Sequence, residues 1–150
     1  MTVGLLYNKR KKESVHYVQL LKKKIEEISA EESINGQKWD VVDSGDYFHD
    51  AATDDVDLLI SIGGDGTFLK TAAVAMKRDL PVLGFHLGTM GLLTEFDKND
   101  MDNTVRRLVK GEYVIEERMT LGVQIEDSEG KMLYKTTAIN DCVLTRGTLA

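Results

Sequence analysis

Apolar positions fall into short solid runs in the first two thirds of this chain and into strict alternation afterwards. Residues 2–7 (TVGLLY), 56–62 (VDLLISI) and 81–85 (PVLGF) are the solid runs. Runs of that length predict strands buried on both faces, as in a parallel sheet. Residues 39–42 predict a further strand. Between the first two strands, Val15, Val18, Leu21, Ile25 and Ile28 recur at helical spacing, while Lys22, Lys23, Lys24, Glu26 and Glu27 point elsewhere. Ser14 is the expected N-cap of that helix. Residues 44–55 are acidic and turn-rich and read as a loop or a broken helix. Residues 68–77, rich in Ala and Leu, predict a second helix. Strands alternating with helices predict parallel pairing with right-handed crossovers.

The pattern changes near residue 100. Asp100 or Asp102 is placed to cap one more helix, running through Lys110. Beyond Gly111 the period becomes two: Leu121, Val123 and Ile125 alternate with Gly122 and Gln124. Asp127-Ser128-Glu129-Gly130 predicts a hairpin turn, and residues 131–144 a returning strand. The expected fold class is therefore α/β: a Rossmann-like parallel sheet with flanking helices over residues 1–100, then a helix and the first strands of an incomplete antiparallel β domain over 101–150. Two or three strands make a poor independent domain, so the chain reads as the front part of a longer design.

Composition narrows the partners. The chain has 150 residues and a net charge of −6, which argues against a protein that tracks nucleic-acid phosphates. Its one cysteine, Cys142, cannot form an intrachain disulfide; it reads as a small core residue, and a reducing, cytoplasmic setting is expected. No apolar stretch approaches the roughly 20 residues that span a bilayer, so no membrane partner is expected. Met1 leads straight into a strand-like run, so no cleaved leader is expected either.

Glycine is the unusual residue. Six of the 13 lie between positions 63 and 91, in two clusters that each follow a predicted buried strand. In open α/β sheets, ligands bind outside the carboxyl ends of the strands. Gly63-Gly64-Asp65-Gly66-Thr67 sits between strand and helix, where unpaired N–H groups and the positive helix end favour phosphate. Neither the dinucleotide GxGxxG pattern (Leu69 stands at the third glycine) nor the Gly-Lys-Ser/Thr phosphate loop is present. Asp65 is the distinctive member, because a carboxylate repels phosphate. It can hold Mg²⁺ that bridges phosphate oxygens, accept a proton from an attacking hydroxyl, or cap the helix beginning near Thr67. The first two readings imply phosphoryl transfer onto an alcohol.

Gly63-Gly64-Asp65-Gly66-Thr67 resembles the GGDGT signature shared by NAD kinases and by diacylglycerol- and sphingosine-type lipid kinases. The second cluster separates them. Residues 83–94 (LGFHLGTMGLLT) resemble the NAD kinase segment, whereas lipid kinases follow Gly-Thr with Asn-Asp. Residues 138–144 (AINDCVL) with Arg146-Gly147, and residues 117–121 (ERMTL), also resemble NAD kinase motifs. The resemblance implies transfer of a phosphoryl group from ATP or polyphosphate to the adenosine-ribose 2′-hydroxyl of NAD, giving NADP. It implies Asp65 as the catalytic proton acceptor, and Gly63, Gly64, Asp65, Gly66, Thr67, Lys70, Asn140 and Asp141 as nucleotide contacts. It further implies Mg²⁺ or another divalent metal neutralising the triphosphate, with no dedicated protein metal site, and a homo-oligomer. Leu92 stands where many members have Phe, and His86 where Asn is commoner. Two other readings follow from the same residues: a nucleotide-binding remnant without catalysis, or a lipid kinase. His86 reads as a satisfied loop histidine, residues 8–12 (NKRKK) as soluble surface, and Lys22, Lys23 and Lys24 as a solvated helix face.

Overall fold

The computed structural model describes residues 1–32, 36–45, 55–88 and 91–145. Contacts divide the chain into two units, Met1–Ile115 and Glu116–Ala150.

The first unit is a five-stranded sheet in the order β2-β1-β3-β4-β5. Its strands are β1 (Thr2–Tyr7), β2 (Asp40–Gly45), β3 (Leu58–Gly63), β4 (Val82–His86) and β5 (Phe96–Asp97). Every neighbouring pair is parallel, as the solid apolar runs predict. Side-chain alternation sends Val3, Leu5, Tyr7, Leu58, Ile60 and Ile62 to one face, where they pack with Val18, Leu21, Ile25 and Ile28 of α1 (Lys12–Glu32). Met101, Val105, Leu108 and Val109 of α3 (Met101–Val109) join the same core. Leu6 and Leu59 turn to the other face and meet Ala75 of α2 (Asp65–Ala75). β3 lies mid-sheet with helices over both faces, so Leu59, Ile60 and Ile62 are fully buried. That environment explains why its sequence does not alternate.

Several local expectations change. α1 begins at Lys12, so Ser14 lies inside the first turn and is buried rather than capping. β2 continues to Gly45, into the segment expected as loop or broken helix; the rest of that segment, residues 46–54, lies outside the described residues. The lysine run of α1 is not simply solvated. Lys22 pairs with Asp43 at 2.6 Å and Lys24 with Asp102 at 2.7 Å, while Lys23 stays exposed. Neither Asp100 nor Asp102 caps α3 with its side chain. Asp97 opens the preceding 3-10 turn by accepting the Asn99 N–H at 2.7 Å, and Asp102 is occupied by Lys24 and Arg106.

The second unit contains β6 (Leu121–Glu126) and β7 (Met132–Ala138), an antiparallel hairpin. Asp127 Oδ1 accepts the N–H groups of Glu129 and Lys131, and Gly130 takes φ +80°, which closes the predicted turn. β7 ends at Ala138, six residues short of the expected strand. Cys142 is exposed, contrary to the core reading: it lies in the irregular stretch that follows β7.

Candidate functional site

β1 has β2 on one side and β3 on the other, so the strand order reverses there. The carboxyl ends of β1 and β3 flank that switch point, where open α/β sheets leave a crevice. β3 delivers Gly63 to this edge, and α2 starts two residues later with Gly64 as its N-cap in an extended conformation. The Gly64 carbonyl accepts the N–H groups of Thr67 and Phe68, at 2.9 and 3.1 Å. The first N–H groups of a helix have no partner within it, so this loop presents donors outward. A side chain on Gly63 would collide with Thr67, whereas positions Gly64 and Gly66 face open space. Lys70 is exposed, one turn beyond Gly66 on the same side of α2.

Asp65 is the first residue of α2, and its carboxylate does not cap the helix. It reaches instead to the segment after β4: Leu92 N–H donates to Oδ2 at 2.9 Å and Leu93 N–H to Oδ1 at 3.2 Å. Gly91 makes the approach possible, since a Cβ there would overlap the Asp65 carboxylate. The two glycine clusters are thus tied together by one side chain. The Leu92 N–H foremost, with those of Leu93 and Thr94, holds the Asp65 carboxyl below the usual carboxylate range despite partial burial, because these donors stabilise the anion.

Sequence reasoning missed this partnership, which spans 27 positions; Gly91 was its only local signal. It also missed β5, and with it the surroundings of His86. His86 closes β4 between Gly63 of β3 and Asp97 of β5, and it is buried. Its Nδ1 lies 3.1 Å from the Gly88 carbonyl and 3.6 Å from Asp97 Oδ2. Leu92 is almost wholly exposed at the site's rim.

Gly63, Gly64, Asp65, Gly66, Thr67 and Lys70 therefore share one loop and helix start. Asn140 and Asp141 belong to the second unit, exposed and just past β7. Thr89 and Met90 of the second glycine cluster, and Arg146-Gly147, lie outside the described residues. Among the described residues no three His, Cys, Asp or Glu side chains cluster to hold a metal ion. Nor is any described helix long and apolar enough to cross a membrane.

A doubly wound parallel sheet carrying a donor-rich loop and a fixed carboxylate at its switch point defines a nucleotide-site α/β protein. The chain belongs to the NAD kinase family: the ATP-NAD kinase N-terminal domain matches residues 8–113. It is 50% identical over 90 residues to an NAD kinase of Corynebacterium diphtheriae, covering 60% of this chain and 28% of that protein. It is 31% identical to an NAD kinase of Acetivibrio thermocellus over its whole length and 52% of the relative's. The fold is also that of yeast NADH kinase, solved with NADH, at a TM-score of 0.65 and 20% identity over 93% of this chain and 47% of that one. An Archaeoglobus fulgidus NAD kinase solved with ATP gives a TM-score of 0.53 and 19% identity, over 83% and 41%. The chain thus spans about half, or less, of the length of these relatives.

Proposed function

We propose that the protein carrying this chain is an NAD kinase, transferring the terminal phosphoryl group of ATP or polyphosphate to the adenosine-ribose 2′-hydroxyl of NAD. The observation that carries this reading is Asp65: an anionic carboxylate at the head of α2, fixed by the Leu92 and Leu93 N–H groups. The hydroxyl oxygen forms a bond to phosphorus as the donor's bridging P–O bond breaks, and the hydroxyl proton passes to Asp65. A carboxylate held below its usual range is a weak base, so its chief work is orientation. It accepts the hydroxyl's hydrogen bond in line for attack and takes the proton late, which suits the loose transition state of phosphoryl transfer. Outward N–H groups at Gly64, Asp65 and Gly66, with Lys70 beyond them, suit the phosphates of the dinucleotide. Asn140 and Asp141 are proposed as further contacts to NAD.

Both Asp65 oxygens already accept N–H groups, and no described cluster of ligands stands beside it. Divalent metal is accordingly proposed to arrive as part of the metal–triphosphate substrate rather than in a cage of this chain's side chains. A homo-oligomer working in the cytoplasm, with no nucleic-acid or membrane partner, completes the reading. The test is NADP formation by the whole protein from NAD and Mg²⁺ with ATP or polyphosphate as donor. NADP made with either donor supports the proposal; binding of NAD and ATP without turnover overturns it in favour of a non-catalytic nucleotide module.

A further inference from the structure

We infer that His86 is a positioning residue for the Asp65 site, using its Nδ1–H to hold Gly88, four residues before Leu92 along the chain. The catalytic consequence rests on the kinase reading above; the structural one does not. His86 stands at the carboxyl edge of the sheet, paired with Gly63 and Asp97, and is only 3% exposed. The two groups facing Nδ1, the Gly88 carbonyl and the Asp97 carboxylate, can only accept hydrogen bonds. The proton therefore sits on Nδ1, and the ring donates to the Gly88 carbonyl. Asp97 is itself fixed, because its other oxygen accepts the Asn99 N–H.

The backbone beside His86 is tied as well: Leu87 N–H donates to the Gly63 carbonyl at 3.0 Å. Gly88 is thus held by the histidine ring while its neighbour is stitched to the first glycine loop. Three residues further on, Gly91 lies against the Asp65 carboxylate, followed by the two amides that orient it. An apolar residue at 86 would fill the same volume but leave the Gly88 carbonyl without this donor. Gly88 would be held less firmly, and so, further along the chain, would the Leu92 and Leu93 amides that direct Asp65.

Three substitutions separate donor placement from volume. His86→Asn puts an N–H the same number of bonds from Cα as Nδ1. His86→Gln puts it one bond further out, in the place of Nε2. His86→Leu fills the space with no donor. Amide hydrogen exchange at Leu92 and Leu93 is measured on this chain, and kcat and KM for NADP formation on the whole protein. In the Leu and Gln variants we expect exchange at both amides to rise about tenfold and kcat to fall by about as much with KM little changed, the mark of misplacement rather than lost binding. His86→Asn should bring both readouts back to within about threefold of wild type. Unchanged exchange at Leu92 and Leu93 in His86→Leu, or an Asn variant no better than the Gln variant, overturns the inference. If His86→Leu does not fold, the Asn–Gln comparison decides. If wild type makes no NADP, the kinase reading fails and amide exchange alone decides the role of His86.

Discussion

The two units of this chain use apolar residues in opposite ways. In residues 1–115, β3 runs through the middle of a sheet covered on both faces, and Leu59, Ile60 and Ile62 are inaccessible to solvent. In residues 116–145, the β6–β7 hairpin pairs with one register shift, between Ile125 and Glu126, yet leaves its large apolar side chains open: Leu133 is 60% exposed and Tyr134 56%. Pairing and burial are separate achievements. Backbone hydrogen bonds and a good turn shape a ribbon that is marginal by itself, whereas a core needs a second layer packed on the sheet. The candidate site follows the same division. Asp65 is held by a loop that the buried sheet positions, while Asn140 and Asp141 sit on open chain past a hairpin.

Stability measurements can sharpen or break that contrast. The largest effect is expected from Ile60→Ala, which removes a side chain buried between α1, α3 and the sheet; a loss of about 2–5 kcal/mol should appear in thermal or denaturant unfolding. A loss below about 1 kcal/mol would show that the first unit's core is not the tightly packed one described. Next comes Gly91→Ala, whose methyl group would enter the space of the Asp65 carboxylate. A cost of about 1–3 kcal/mol is expected, with faster exchange at the Leu92 and Leu93 amides. Gly88→Ala is the control, since open space surrounds that position, and its melting temperature should stay near wild type.

Acid titration should give a smaller effect with a definite sign. The Asp65 carboxyl is held below its unfolded value, chiefly by the Leu92 N–H, so its contribution is complete above the ordinary carboxylate range and is lost as pH falls through the folded-state value. Asp65→Asn should remove that part of the acid sensitivity. Glu32, lowered first by Lys110, and Asp102, lowered first by Lys24, would retain theirs. Equal acid sensitivity in Asp65→Asn and wild type would contradict the tether. The smallest effect belongs to the hairpin: Leu133→Ala should change stability by less than about 0.5 kcal/mol, and β6–β7 amides should exchange faster than those of β3.

How much could be read in advance depends on distance along the chain. The solid runs at 2–7, 56–62 and 81–85 are local signals, and each became a strand of the parallel sheet. Asp127 and Gly130 announced their turn for the same reason. β5 did not announce itself, because Phe96–Asp97 is too short to show a period and exists through its pairing with β4. Ser14 and the acidic residues at 100 and 102 suggested caps by type, but tertiary partners decided otherwise: α1 starts earlier, and Asp102 is drawn to Lys24 and Arg106. At the site, the composition of the glycine loop was legible while the direction of Asp65 was not. Its partners come from another loop, and only Gly91 records the need for space between them.

The most direct test of the account is Asp65→Asn in the whole protein, measured for NADP formation beside NAD binding by calorimetry. Asn keeps the shape but can no longer take a proton or serve as an anion for the Leu92 and Leu93 amides. The account predicts a fall in kcat of at least about a hundredfold, with the protein folded and NAD still bound. Turnover within a few fold of wild type would contradict it.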